Sequence, residues 1–260
     1  PGGAALYAAV AAKTLFNDVY LISAVGRDYE FREVLEPLFS GHVKFFNLPS
    51  TSFHIRYDER WEAHYVKAEF GAGIKIGVSK LLLETLKPDD AVHISPVQPR
   101  RAYRIVEEIK THSADTKVSV NMWIGYINGK NKKILKELAE KVDFFVLNDS
   151  EAKALTETDS LSIALRLLKA KMLVITLGEL GAIISRQGGE IQMIPALNYP
   201  VKKIVDTTGA GDTWCGAFVA SYTMTNDPMK SVAVASIISS IKCTGWGFNS
   251  LWNLRFKDVN

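Results

Sequence analysis

From residue 79 onward this chain alternates short apolar runs with amphipathic stretches, and few folds satisfy that rhythm. Ser79 can cap a helix that runs to residue 86 and is stopped by Pro88. The spacing predicts a strand over 91–94, a helix over 99–112, a strand over 118–122 and a helix over 132–141 with Ile134, Leu135 and Leu138 inward. A buried-type strand follows at 144–147, then helices at 150–156 and 160–170, and a strand at 172–177. Residues 182–186 and 190–194 flank Gly188-Gly189, a hairpin signal. A long small-residue helix is expected over 230–243. Strands joined through helices run parallel and need cover on both faces. The expected fold class is therefore α/β, a doubly wound and mostly parallel sheet.

The first third reads differently. Gly2-Gly3 precede a small-residue helix over 4–13, and a short strand over 19–25 ends in Gly26-Arg27-Asp28. A helix is expected over 31–39. Residues 43–46, 52–57 and 61–68 show partial period-two alternation, with the polar turn Tyr57-Asp58-Glu59-Arg60-Trp61 between the last two. A hairpin with mixed polar and aromatic faces suits a small β lid exposed on one side. The expected division is an α/β domain from residues 1–42 and 71–260, with residues 43–70 as the lid. The chain opens on a glycine turn with no strand before it, so a first strand upstream is expected.

Composition excludes several classes. The net charge of +3 is spread thinly over 260 residues, which argues against nucleic acid or an anionic membrane as partner. Lys130-Asn131-Lys132-Lys133 opens an amphipathic helix and reads as a solvated face. No apolar run approaches the roughly 18 residues that span a bilayer. The Ala-rich start lacks the basic region of a signal peptide. Cys215 and Cys243 offer neither a disulfide framework nor metal-ligand spacing, so a reducing, cytoplasmic setting is expected.

The chemistry concentrates at Asp206-Thr207-Thr208-Gly209-Ala210-Gly211-Asp212, after an extended run at 201–205 and before a small-residue helix. Gly209 and Gly211 let backbone approach a ligand closely. The first N–H groups of the helix have no intrahelical partner and carry the positive end of the dipole, so the turn attracts phosphate. Asp212 among those donors would repel a bare anion and needs another purpose. Accepting a hydroxyl proton beside a phosphoryl group is one.

This string resembles the second signature of the ribokinase-like (PfkB) carbohydrate kinases. Asn148-Asp149-Ser150-Glu151, after the strand at 144–147, resembles the NxxE motif of the same family, whose Asn148 and Glu151 would serve Mg²⁺. From the residues alone, a capping box is the competing reading of that segment. Thr176-Leu177-Gly178-Glu179-Leu180-Gly181 resembles the family's T-x-G-x-x-G stretch, placing Thr176, Gly178 and Gly181 at the nucleotide. Gly2-Gly3 resemble the pair in GGxxxN beside the phosphate acceptor, with Tyr7 where the family has Asn. That departure removes an amide that grips sugar hydroxyls and leaves polyols, other sugars and nucleosides open. Ser95-Pro96-Val97-Gln98 follows a strand and is a further candidate for the acceptor side. Thr244-Gly245-Trp246-Gly247 falls where the family places adenine and, in some members, a monovalent cation. Asp206 would either help hold that cation or fix the turn. The acidic residue that the family carries on its first strand has no counterpart to assign.

Competing motifs fail. There is no GxxxxGK[ST], GxSxG or HExxH, and residues 71–77 miss GxGxxG by one position. His54 and His64 on the expected hairpin read as surface residues. The resemblance implies an ATP-dependent kinase for a small hydroxyl-bearing molecule. Asp212 would be the proton acceptor, the N–H groups around Gly209, Ala210 and Gly211 the anion hole, and ATP and Mg²⁺ the cofactors. Closure of the lid over the acceptor and a homodimer formed through the lid are further expectations. An inositol or nucleoside kinase of the same family, or a non-catalytic ligand-binding member, is the alternative.

Overall fold

A computed structural model describes residues 2–33, 35, 42–59, 63–187, 189–196, 203–252 and 254. Most of the helix expected over 31–39, the tip Arg60-Trp61, Gly188 and the start of the run at 201–205 lie outside the described residues.

The chain forms two compact units. One holds Gly2–Asn17 and Ser79–Asn260, the other Asp18–Val78. In the larger unit, a six-stranded sheet has β5 (Ala91–Ile94), β6 (Lys117–Asn121), β7 (Phe144–Asn148) and β8 (Met172–Thr176) side by side and parallel. The hairpin β9 (Ala182–Arg186) and β10 (Ile191–Ile194) adds two antiparallel strands beyond β8. Sequential neighbours are thus spatial neighbours, as right-handed crossovers favour.

The helices between the strands follow their apolar stripes. They are α2 (Lys80–Thr85), α3 (Pro99–His112), α4 (Lys132–Lys141), α5 (Asp149–Thr156) and α6 (Leu161–Leu167). Ser79 caps α2 by accepting from Leu82 N–H, and Pro99 opens α3, where its missing N–H costs nothing. On α3, Ala102, Ile105, Val106 and Ile109 form one buried face. Strand β7 is apolar on both sides, as a central parallel strand must be. Phe144 meets Phe218 and Tyr222 on one face of the sheet, while the next residue, Phe145, is fully buried on the other. At the amino end of β7, Asp143 is held low by Lys110, Val118 N–H and Lys171 against the opposing effect of burial.

Three small-residue helices complete the unit: α1 (Ala4–Lys13), α7 (Ala210–Thr225) and α8 (Pro228–Lys242). Their backbones come close because side chains are absent where they cross. A Cβ on Gly216 of α7 would strike the Ala8 carbonyl of α1. Trp214 stacks on Phe218 at 5.1 Å, filling the space under α7.

The smaller unit has a parallel pair, β1 (Ser23–Gly26) with β2 (Val43–Phe46), and an antiparallel hairpin, β3 (Ser52–Tyr57) with β4 (Ala63–Glu69). Its extent, residues 18–78, is wider than the 43–70 expected for the lid. Strand β1 is the reason: its ladder partner is β2, in register from Ser23↔Val43 to Gly26↔Phe46. The turn after β1 is tied to the same unit, where Asp28 accepts from Ser50 N–H and Ser50 Oγ and is held low by them. The hairpin exposes Phe53, Tyr65 and Val66, with Phe53 edge-on to Tyr65.

Candidate active site

The carboxyl ends of β5 to β8 point their last residues toward one region, where open parallel sheets bind ligands. Asn121 ends β6, Asn148 ends β7 and Thr176 ends β8, with Asn148 and Thr176 as register partners. The amino terminus of α7 arrives at the same place. Gly209 is its N-cap with φ 75°, a left-handed conformation that a side chain resists. Space forbids a side chain as well, since a Cβ there would sit 2.5 Å from the Tyr7 ring.

Asp212 stands in the first turn of α7, half-buried, and its Oδ1 accepts from Asn121 Nδ2 at 3.1 Å. Burial pushes its pKa up from 3.8 to about 6, against the lowering effect of the Asn121 bond. Desolvation outweighs the amide donor, and the result is a carboxylate basic enough to take a proton yet ionised at neutral pH. Ala210 N–H donates to Thr207 O at 3.1 Å. Of the anion-hole donors expected around Gly209, Ala210 and Gly211, Ala210 is thus taken, while the N–H groups of Gly211 and Asp212 have no preceding helical carbonyl to take their protons.

Asn148 and Glu151 form a complete capping box at the start of α5. Asn148 Oδ1 accepts from Glu151 N–H at 2.8 Å, and Glu151 Oε2 accepts from Asn148 N–H at 2.9 Å. The structural reading of this motif is thus realised, and it does not exhaust Glu151. Its carboxyl is 7% exposed, and burial raises its pKa to about 7. Bonds from Asn148 and Ile124 N–H lower it, and the charge of Asp212 raises it. Asp212 and Glu151 thus feel one another in a shielded place. A hydrated divalent ion, which needs only oxygen donors and keeps most of its water, fits that donor set. Among the described residues no group of three or more His, Cys, Asp or Glu gathers as a closed metal site. Burial, helped by the charges of Asp212 and Glu151, pushes the Cys215 thiol well above 9, leaving it an inert core residue.

The nucleotide segment turns tightly after β8. Leu177 N–H donates to Gly181 O at 2.8 Å, Gly178 has φ 60° and is exposed, and Gly181 is buried. Thr176 is half-buried, its hydroxyl 3.4 Å from Leu147 O. On the C-terminal loop, Gly245 N–H donates to Lys242 O at the end of α8, and Gly247 N–H donates to Asp206 Oδ2, which ties Gly247 to the turn that precedes Asp212. Gly2 and Gly3 are exposed at the start of α1, where Gly3 O accepts from Leu6 and Tyr7 N–H. Tyr7, expected beside the acceptor, is only 4% exposed and packs beneath Gly209, edge-on to Phe248.

Three residues of this region escaped the sequence reading. Asn121 ends β6 and His93 sits within β5. The His93 imidazole is held neutral by burial, with its pKa lowered to about 4, and its Nδ1 lies 3.0 Å from Ser119 Oγ. Lys242 ends a helix of small residues and is fully buried, with its Nζ on Asp206. The sequence signal for Asn121 and Lys242 is weak, a polar residue at the last position of an element that carries other polar residues too.

Residues 79–252 match the pfkB family of carbohydrate kinases. A cytidine kinase from Thermococcus kodakarensis is 29% identical over 85% of this chain and 80% of its own length. A ribokinase from Lactococcus lactis is 28% identical over 95% of this chain and 80% of its own. Among solved structures, the Burkholderia thailandensis nucleoside kinase in complex with ADP-inosine superposes with a TM-score of 0.81. It covers 99% of this chain and 79% of that one at 20% identity, a likeness of fold. The chain belongs to the pfkB carbohydrate kinase family. It is an ATP-dependent phosphotransferase with a hydroxyl group as acceptor. No helix among the described residues is long and apolar enough to cross a membrane.

Proposed function

We propose that this kinase phosphorylates a ribose-bearing acceptor, a nucleoside or the free pentose, with Asp212 as proton acceptor. One observation carries the role of Asp212. A carboxylate with its pKa near 6 lies in the first turn of a helix whose amino terminus is built for phosphate. Oδ1 is held by Asn121, which fixes the group and leaves Oδ2 for the acceptor. The acceptor oxygen attacks the γ-phosphorus, the bridging P–O bond to ADP breaks, and the hydroxyl proton passes to Asp212. An alcohol is too weak an acid to be ionised beforehand, so the proton moves late, as the loose transition state collects charge. Gly211 and Asp212 N–H groups and the helix dipole stabilise that charge. A Mg²⁺ ion would neutralise the phosphate oxygens, and Glu151 with Asn148 would hold it through its water shell. Thr176, Gly178 and Gly181 line the proposed nucleotide side, together with the loop at 244–247.

The acceptor class follows from the names of the relatives, a cytidine kinase and a ribokinase, which share ribose. Ser95 Oγ is buried without a hydrogen bond among the described residues, and Asn121 Oδ1 makes no close one, although its amide acts on the neighbouring His93 ring. They follow and end β5 and β6, whose residues Ile94 and Val120 are register partners. Such atoms supply the hydrogen-bonding capacity that sugar hydroxyls need. The test is ADP release with ribose, deoxyribose, cytidine, inosine, adenosine and inositol in turn. Stimulation by ribose or a nucleoside is expected, with Asp212→Asn reducing it about 100-fold or more. ATP consumption that no acceptor stimulates would mark a non-catalytic binder, and stimulation by inositol alone would overturn the ribose assignment.

A further inference from the structure

Kinases of this family include members with a monovalent cation beside the loop that Asp206 opens, and the residues around Asp206 do not fit one. The Lys242 ammonium is already there. Its Nζ donates to Asp206 O at 2.7 Å and to Asp206 Oδ2 at 3.2 Å, and lies 5.4 Å from the centre of the Tyr7 ring. A carboxylate, a backbone carbonyl and an aromatic face are together the surroundings that a dehydrated monovalent cation prefers. Both partners are buried, Lys242 at 0% and Asp206 at 6% exposure.

We propose that Lys242 is a built-in cation for the phosphate-binding turn, so that this enzyme works without free potassium or sodium. The charge count supports this. One ammonium neutralises one carboxylate, and a second cation would bring uncompensated charge into a buried place.

The knot reaches the chemistry through backbone. Asp206 Oδ1 accepts from Thr208 N–H at 2.9 Å and Oδ2 from Gly247 N–H at 3.0 Å. Cys243 O accepts from Val205 N–H at 2.8 Å. Ser239 of α8 reaches forward to Ala210 O at 2.9 Å, and Ser250 Oγ holds Lys242 O at 3.1 Å. Asp206 thus fastens the three residues before Gly209 to the end of α8, and Lys242 supplies the opposite charge beside it. Lys242 touches no reacting atom. It is a positioning residue, and a cation supplied from solution can replace it once its side chain is shortened.

The catalytic arm rests on the kinase reading above, while the stability arm does not. Wild type, Lys242→Ala and Asp206→Asn/Lys242→Met are compared in potassium, ammonium and tetramethylammonium chloride at equal ionic strength. Each is read by melting temperature and by acceptor-stimulated ADP release. Wild type should show the same melting temperature and rates within twofold in all three salts. Lys242→Ala should melt lower in tetramethylammonium, recover in potassium or ammonium, and gain at least tenfold in rate with the recovery. The double variant, which removes both charges together, should fold and melt alike in all three salts.

Tenfold activation of wild type by potassium overturns the proposal, as does a Lys242→Ala protein indifferent to every cation in both readouts. If Lys242→Ala is insoluble in all salts, the wild-type salt comparison and the salt-blind double variant decide. If wild type has no kinase activity, the functional reading fails and the melting arm still tests Lys242.

Discussion

Asp212→Asn should abolish phosphoryl transfer and make the protein more stable, and the two effects have one cause. Burial raises the Asp212 pKa from 3.8 to about 6. A carboxyl whose pKa is raised by folding favours the native state while protonated and loses that contribution as pH climbs through the folded value. Two units at about 1.4 kcal/mol each set a ceiling of about 3 kcal/mol of lost stability above pH 7. Asp212 keeps some contact with solvent, which discounts the figure to about 1–2 kcal/mol. An asparagine is neutral at every pH and still offers an oxygen to Asn121 Nδ2. At pH 8 the variant should therefore melt higher by roughly 2–8 °C. The gain should fall to about half at pH 5 and vanish below about pH 3, where wild type is protonated in both states. Differential scanning calorimetry across that range, with ADP binding as a check on the fold, measures it. A variant less stable than wild type at pH 8, or a gain independent of pH, would refute the account of Asp212 as a desolvated base.

Asn121→Ala should move the acid limb of the rate profile above pH 6 and lower kcat about 10-fold, because the amide that favours the ionised form is gone. An unmoved limb would separate Asn121 from the base. Glu151→Gln should keep the cap, since glutamine offers the same oxygen to Asn148 N–H, yet raise the Mg²⁺ needed for half-maximal rate about tenfold. In wild type that requirement should ease as pH rises through about 7, where Glu151 ionises. Gly209→Ala must place a methyl group against the Tyr7 ring at a positive φ, and should cost about 2–4 kcal/mol by denaturant melts and most of the activity.

The larger unit was legible because its signals are local. The stripe Ala102, Ile105, Val106 and Ile109 defines α3 at the bounds read from spacing, and β5 and α4 likewise match. The extent of the smaller unit was not legible, because β1 is an ordinary apolar run and only its pairing with β2 reveals where it belongs. In the site, Asp212 stood out through its unusual setting among helix-start donors. Asn121 did not, since it lies 91 residues from the carboxylate it holds. Asp206 stood in the motif, but its partner Lys242 lies 36 residues away at the end of a small-residue helix, and nothing local announces their salt bridge. Tyr7 shows the same limit from the other side. Its sequence position pointed to the acceptor, while its burial under Gly209 follows from how α1 and α7 cross.

Phosphorus NMR on a mixture of wild-type protein, ATP, Mg²⁺ and a ribose-bearing acceptor tests the central claim most directly. Each ADP formed should be matched by one new phosphomonoester on the acceptor, with little inorganic phosphate, and Asp212→Asn should form neither while still binding ADP. Inorganic phosphate in place of the ester, or ester formation by Asp212→Asn within tenfold of wild type, would contradict it.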